Sequence, residues 1–284
     1  MKIAIVGSSG QVGRDLVSFF SNTKYEIFSV SRKNKKKKLK HKRQIELNIN
    51  DFKLLENCDV IINCVANHYL SQNQNYSNYY QSNVLFFKEL IRIASQVHCK
   101  LFVNLSSVSL YKQRLSNRKI NEKDKVKKSD YYCKTKIIGE DLLKKSALNY
   151  LNLRLPGILC SNFDRHKPWI KNFYDDLENN KDIEIYNSDY LYNSVIDTYE
   201  IFRVIKKLII KKNKVYRNIY NLVSNNSLTI LQLINFLKKK TKSKSKIILS
   251  ENRKKNSSYI CNKKISKKLP MKIASVKKII DRNF

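Results

Sequence analysis

The chain has 284 residues, 42% of them hydrophobic, which is enough to bury the core of one large domain or of a domain with a smaller appendage. Its 57 Lys+Arg against 23 Asp+Glu give a formal net charge of +34, which invites a polyanionic partner. Lysine, asparagine, isoleucine and tyrosine are nevertheless abundant together while glycine (5), proline (3) and tryptophan (1) are scarce, as A/T-rich codon usage would give, so no specific nucleic acid is expected. The apolar start after Met1 is too short for a signal peptide, and no run reaches the roughly 18 apolar residues of a membrane span. Six cysteines without CxxC spacing and four scattered histidines (His41, His68, His98, His166) form no metal-ligand pattern and predict a reduced, cytoplasmic protein.

In chain order, KIAIV (2–6) reads as a β-branched strand ending in glycine, and QVGRDLVSFFSN places Val12, Leu16, Val17 and Phe20 at helical spacing. YEIFSV (25–30), DVIINCVA (59–66), KLFVNLSS (100–107) and YLNLRLP (150–156) read as further strands, with helices over 77–96 and 131–147 between them. Beyond Pro156 the spacing predicts a helix within FDRHKPWIKNFYDDLEN (163–179), a short strand IEIYN, a helix in TYEIFRVIKKLI, a core strand NIYNLVS (218–224), a helix from Ser227 and a lysine-rich tail. The basic run 33–43 and the polar stretch 109–130 read as connections.

Strands alternating with amphipathic helices predict an α/β protein with a doubly wound parallel sheet of the Rossmann type. The expected division is a dinucleotide-binding domain over 1–157, to which 195–224 returns, and a smaller, discontinuous C-terminal substrate lobe from 158–194 and 225–284.

GSSGQVG sets Gly7, Gly10 and Gly13 where the first strand meets the first helix. Such glycines allow a tight turn, close approach of backbone to a pyrophosphate and close strand–helix packing, and the helix N-terminus favours an anion. Gln11 and Val12 sit inside this turn. The second strand ends in Ser31, Arg32 and Lys33, where a carboxylate would suit the ribose of NAD and repel a 2′-phosphate. NADP(H) is therefore favoured, with NAD(H) as the alternative.

Residues four apart share a helix face, so in SDYYCKTKIIGE the pair Tyr132 and Lys136 can converge, whereas Tyr131 pairs with Thr135. A phenol titrates near ~10, and a neighbouring ammonium lowers that value, making Tyr132 a candidate general acid or base. Ser106 or Ser107, at the carboxyl end of KLFVNLSS, offers a hydroxyl to share charge on a reacting oxygen.

GSSGQVG, DVIINCVA, SNVLFFKEL, LSSVSLY, YYCKTKIIGE, LRLPGIL and YNLVS occur in an order that resembles the extended branch of the short-chain dehydrogenase/reductase superfamily, the sugar-nucleotide epimerases, dehydratases and ketoreductases. The resemblance implies a catalytic Ser107, Tyr132 and Lys136, with Lys136 also reaching the nicotinamide ribose. It further implies a supporting Asn83, and places Cys64, Val65 and Ala66 beside the cofactor. Departures are Lys112 and Cys160 where glycines are common, and Asn48 where an aspartate usually meets the adenine. A homodimer through a bundle of helices including the Tyr-Lys helix is a property of such proteins.

Ser107 is followed by Val108 and Ser109, not by the Asp-Glu pair of the 4,6-dehydratases, which disfavours dehydration. The reading is an NADPH-dependent reductase of a keto group, at C4, of a nucleoside-diphosphate sugar in deoxysugar or surface-polysaccharide synthesis. An NAD(P)-dependent epimerase is the alternative, and the rival from another class is a non-catalytic NADP-sensing or RNA-binding protein. Lys167, Lys171 and Arg253 are candidate pyrophosphate contacts, and Trp169 is either a core anchor or a wall for the base.

Overall fold

The computed structural model describes residues 1–31, 44–48, 55–56, 58–67, 75–111, 119–128, 130–164, 167–210, 215–250, 259–269 and 271–284, with 44–48 described in backbone alone. Arg32, the basic run 33–43, His41, His68, Lys112, His166 and Arg253 lie outside these residues, as does the side chain of Asn48.

The chain begins β1 (Lys2–Val6), α1 (Gln11–Ser21), β2 (Glu26–Ser31), β3 (Gln44–Asn48) and β4 (Val60–Asn63). Then come α2 (Tyr76–Tyr80), a π-helical turn (Gln81–Leu85), α3 (Phe86–Gln96), β5 (Leu101–Ser107), α4 (Tyr131–Lys145) and β6 (Tyr150–Leu155). The remainder is β7 (Gly157–Leu159), α5 (Trp169–Glu178), β8 (Ile183–Tyr186), β9 (Leu191–Tyr192), β10 (Val195–Asp197), α6 (Thr198–Ile209), β11 (Asn218–Asn221), β12 (Leu228–Thr229), α7 (Ile230–Thr241), β13 (Ile247–Ser250), α8 (Lys263–Ser266) and α9 (Val276–Asn283).

Seven strands form one parallel sheet in the order β11-β6-β5-β4-β1-β2-β3. The order reverses between β1 and β4, and in such sheets ligands bind beyond the carboxyl ends at that switch point. Every residue of β5 and β6 is buried, as expected when helices cover both faces. On one face α1 packs against α6, with Phe20 edge-on to Phe202 at 4.8 Å.

A row of buried asparagines crosses three strands. Asn63 donates from Nδ2 to Asn104 Oδ1 at 2.9 Å, and Asn104 donates to Asn152 Oδ1 at 2.7 Å. The direction is set at one end, because Asn63 Oδ1 accepts the Val65 backbone N–H at 3.1 Å and an N–H cannot reverse. Asn152 Nδ2, at the far end, is buried with no partner among the described residues.

Beyond the main sheet the chain forms short pairs: β8 with β13, parallel, and β9 with β12, antiparallel, with α5 packed on α7. β7 pairs with β10, and α9 returns to β10, where Arg282 clamps Asp197 at 2.6 and 2.8 Å.

Three helix expectations shift. The helix expected within 163–179 begins at Trp169, because Pro168, lacking an N–H, stands at its N-cap in extended conformation. The helix expected from Ser227 begins at Ile230, where Thr229 and Gln232 form a reciprocal capping box. The helix over 77–96 is interrupted by the π-helical turn that carries Asn83.

Candidate active site

A cleft of about 510 Å³ opens at the carboxyl ends of the strands, lined by Gly10–Gly13, Cys64, Ala66, Asn67, 105–109, Tyr132, Lys136 and 155–158 together with Cys160. It thus unites most of the residues singled out in the sequence.

The glycine turn forms one wall. Gly7 has φ +87°, in the left-handed region, and donates to Val30 O at 2.9 Å. A Cβ at Gly13 would lie 2.2 Å from Gly7 O, so α1 meets β1 too closely for any side chain. Gly10 caps α1 with no side-chain acceptor, and no acidic residue occupies the first turn. The N–H groups there are suited to an anion. The Gln11 side chain is turned to Asn162 O at 2.8 Å. Val12 lines the cleft beside it.

The opposite side is held by Asn83, whose Oδ1 accepts Asn67 N at 2.8 Å while Nδ2 donates to Thr135 Oγ1 at 3.1 Å. Asn83 therefore ties α4 to the 64–67 turn. Cys64 and Ala66 face the cleft, and Val65 packs against Gly7. Burial pushes the Cys64 and Cys160 thiols up to about 12, so both stay neutral at ordinary pH.

The chemistry-bearing side chains come from α4 and β5. Asp130 accepts Cys133 N at 2.7 Å and starts α4 just ahead of Tyr132. Tyr132 and Lys136 are both buried on the inner face, whereas Tyr131 is 45% exposed. Lys136 donates from Nζ to Leu105 O at 2.9 Å, and burial lowers its pKa from 10.5 to about 8, against opposing pulls from Glu140 and Cys64. Beside it a cavity of about 10 Å³, near the smallest that holds one water, is lined by Asn63, Asn83, Asn104 and Gly139.

The two serines separate clearly. Ser107 Oγ accepts Ser109 N at 3.1 Å and lines the cleft, so its O–H is the donor it can offer a ligand. Ser106 donates to Glu140 Oε1 at 2.7 Å. Glu140 was legible in the sequence only as family likeness. It is buried and also holds Arg154 at 2.6 and 3.0 Å, while the Arg154 guanidinium lies over Tyr111 at 4.8 Å and Tyr111 donates to Asn221 at 2.6 Å. The missed signal was spacing, because Tyr132, Lys136 and Glu140 continue one i, i+4 stripe.

Among the described candidates away from this constellation, Ser31 ends β2 as expected. Lys167 and Lys171 both pair with Asp175. Trp169 is edge-on to Tyr192 at 4.9 Å and 36% exposed, which makes it both anchor and surface. Among the described residues no group of His, Cys, Asp and Glu could hold a metal ion, and no helix is long and apolar enough to cross a membrane.

The uncapped turn, the space required at Gly13 and the adjoining cleft fit a nicotinamide dinucleotide, which Gly7, Gly10–Gly13, the 64–66 segment and Lys136 would hold.

Several solved structures share this fold. WbmG from Bordetella bronchiseptica, solved with NAD, matches at 15% identity and TM-score 0.81, over 100% of this chain and 92% of that one. UDP-glucuronic acid 4-epimerase from Bacillus cereus, also with NAD, matches at 16% and 0.79, over 99% and 96%. UDP-glucose 4-epimerase from Thermotoga maritima, with UDP-glucose, matches at 16% and 0.77, over 100% and 97%. At these identities the likeness is one of fold, and no curated protein sequence matches. The model of the NAD dependent epimerase/dehydratase family matches residues 3–216. The chain belongs to that family of enzymes.

Proposed function

We propose that the protein interconverts C4 epimers of a nucleoside-diphosphate sugar with a nicotinamide dinucleotide as cofactor. The observation that carries this reading is the cleft itself: Tyr132 and Lys136, one helical turn apart and both buried, share it with the uncapped glycine turn and with Ser107. Family membership supports it, as do relatives of the same fold solved with NAD and UDP-sugars.

When bound, the dinucleotide supplies the means to oxidise a carbinol carbon and to reduce it again. Tyr132 takes the proton of the sugar hydroxyl in one direction and returns it in the other. Lys136, charged below about pH 8, stabilises the phenolate that this requires. Ser107 donates to the reacting oxygen and Asn83 holds the neighbouring 64–67 turn. We assign the substrate lobe to 158–194 and 225–284.

Net ketoreduction with NADPH is the second reading, favoured by Ser31 and Arg32 where a carboxylate would stand. It rests on sequence, since Arg32 lies outside the described residues. Incubation with a panel of UDP-hexoses, UDP-uronic acids and 4-keto sugar nucleotides, with NAD or NADPH, tests both. A C4 epimer without net oxidation of cofactor supports epimerisation, and stoichiometric NADPH oxidation supports the reductase. Neither product with any substrate would remove both.

A further inference from the structure

We propose that Gln11, Arg14 and Asp15 on α1 form a clasp with residues 161–164 that ties two stretches of the cleft lining together and slows release of the dinucleotide. This rests on the reading of the cleft as a dinucleotide site.

The lining of the cleft includes the turn Gly10–Gly13 and, from a distant part of the chain, Gly157, Ile158 and Cys160. Just past Cys160 the chain crosses to α1, about 150 residues distant in sequence, and is fastened there at three successive points. Asp15, only 6% exposed, accepts Ser161 N at 2.8 Å, the Ser161 hydroxyl, and the Thr198 hydroxyl at 2.7 Å. Gln11 donates to Asn162 O at 2.8 Å. Arg14 grips Asp164 with both ends of its fork, at 2.9 and 2.7 Å.

The attachments differ in strength because they differ in burial. A buried carboxylate with three donors is costly to strip, so Asp15 fixes the inner end of the segment. The Arg14–Asp164 pair is 40% exposed on each side, where an ion pair contributes about 1 kcal/mol or less even with bidentate geometry, about fivefold in a rate. The outer pair is therefore an openable latch, and the inner carboxylate is its pivot. Parting of these two stretches at the glycine turn breaks the latch.

The consequence bears on the net reaction. A reductase must exchange its dinucleotide every turnover, whereas an epimerase regenerates it and loses nothing by holding it. A clasp across the cofactor end of the cleft therefore belongs with the redox-neutral reading.

The test is stopped-flow displacement of NADH from the full chain, comparing wild type with Arg14→Gln, Asp164→Asn and the double variant, with melting temperatures recorded alongside. Each single variant is expected to release NADH up to about fivefold faster with a melting temperature lowered by no more than about 2–4 °C, and the double variant no faster than either single. Added salt speeds wild-type release more than release from the variants, which keep only the dependence due to the dinucleotide's own phosphates. The charge exchange Arg14→Asp with Asp164→Arg slows release again. Variants that bind NADH but release it at the wild-type rate, or singles whose effects multiply in the double, overturn the clasp alone. A wild type that binds no dinucleotide removes the cofactor reading and the clasp together.

Discussion

Lys136 donates to the carbonyl oxygen of Leu105 at 2.9 Å, and with the Ser106–Glu140 bond this joins the helix carrying Tyr132 to the strand that ends at Ser107. The bond also fixes a charge inside the protein, since Lys136 is 6% exposed and its pKa falls to about 8. In the unfolded chain the same group titrates near 10.5. Between those values the unfolded state binds the proton that the folded state has released, so stability rises with pH across that window. Below pH 8 the full penalty is present. Lys136→Met is expected to raise the stability of the cofactor-free protein at pH 7, by about 3 kcal/mol at most, with the difference shrinking from pH 8 upward. Urea unfolding at a series of pH values checks the sign.

Glu140 presents a second buried charge. Its carboxylate is shared between Arg154 and Ser106, so removing it strands a guanidinium whose Nη1 already has no partner among the described residues. Glu140→Ala is expected to cost about 3–5 kcal/mol in denaturant unfolding, and Glu140→Gln less. Equal stability of Glu140→Ala and wild type would show that the network carries no net energy.

The glycine turn allows a graded comparison. A Cβ at Gly13 would meet Gly7 O at 2.2 Å, whereas one at Gly10 would meet the same oxygen at 3.3 Å. Gly13→Ala is expected to destabilise by about 1–3 kcal/mol and to weaken dinucleotide binding more than Gly10→Ala does. Calorimetric titration and thermal melts of the two variants separate the effects.

The asparagine row gives a prediction independent of any ligand. Asn104→Leu leaves Asn63 Nδ2 and Asn152 Oδ1 without partners in addition to the orphaned Asn152 Nδ2. A loss of about 2–4 kcal/mol is expected, read by urea unfolding. Because Asn63 also holds Val65 N, hydrogen exchange at that amide should quicken in the same variant.

The sheet and the Tyr-Lys pair were legible because each rests on a local period: β-branched runs between amphipathic helices, and i, i+4 spacing. What the sequence hid depends on contacts across long separations. β13 reads as part of a lysine-rich tail, since Ile248 and Leu249 are half exposed and β13 pairs only with the short β8. The asparagines at 63, 104 and 152 sit singly in apolar strands, and only the parallel register aligns them. Arg14 and Asp164 look like two more surface charges until the fold brings them together. Glu140 was within reach of the helical stripe, but its partner Arg154 lies on another element.

The central claim is that Tyr132 carries the proton at the reacting sugar oxygen. It is tested most directly by proton NMR of C4 epimer formation from the UDP-sugar that wild type converts, comparing Tyr132→Phe at saturating NAD with dinucleotide affinity measured in parallel. A rate lower by about 10²–10⁴-fold is expected in Tyr132→Phe with affinity within about threefold. Epimer formation by Tyr132→Phe at the wild-type rate would contradict it.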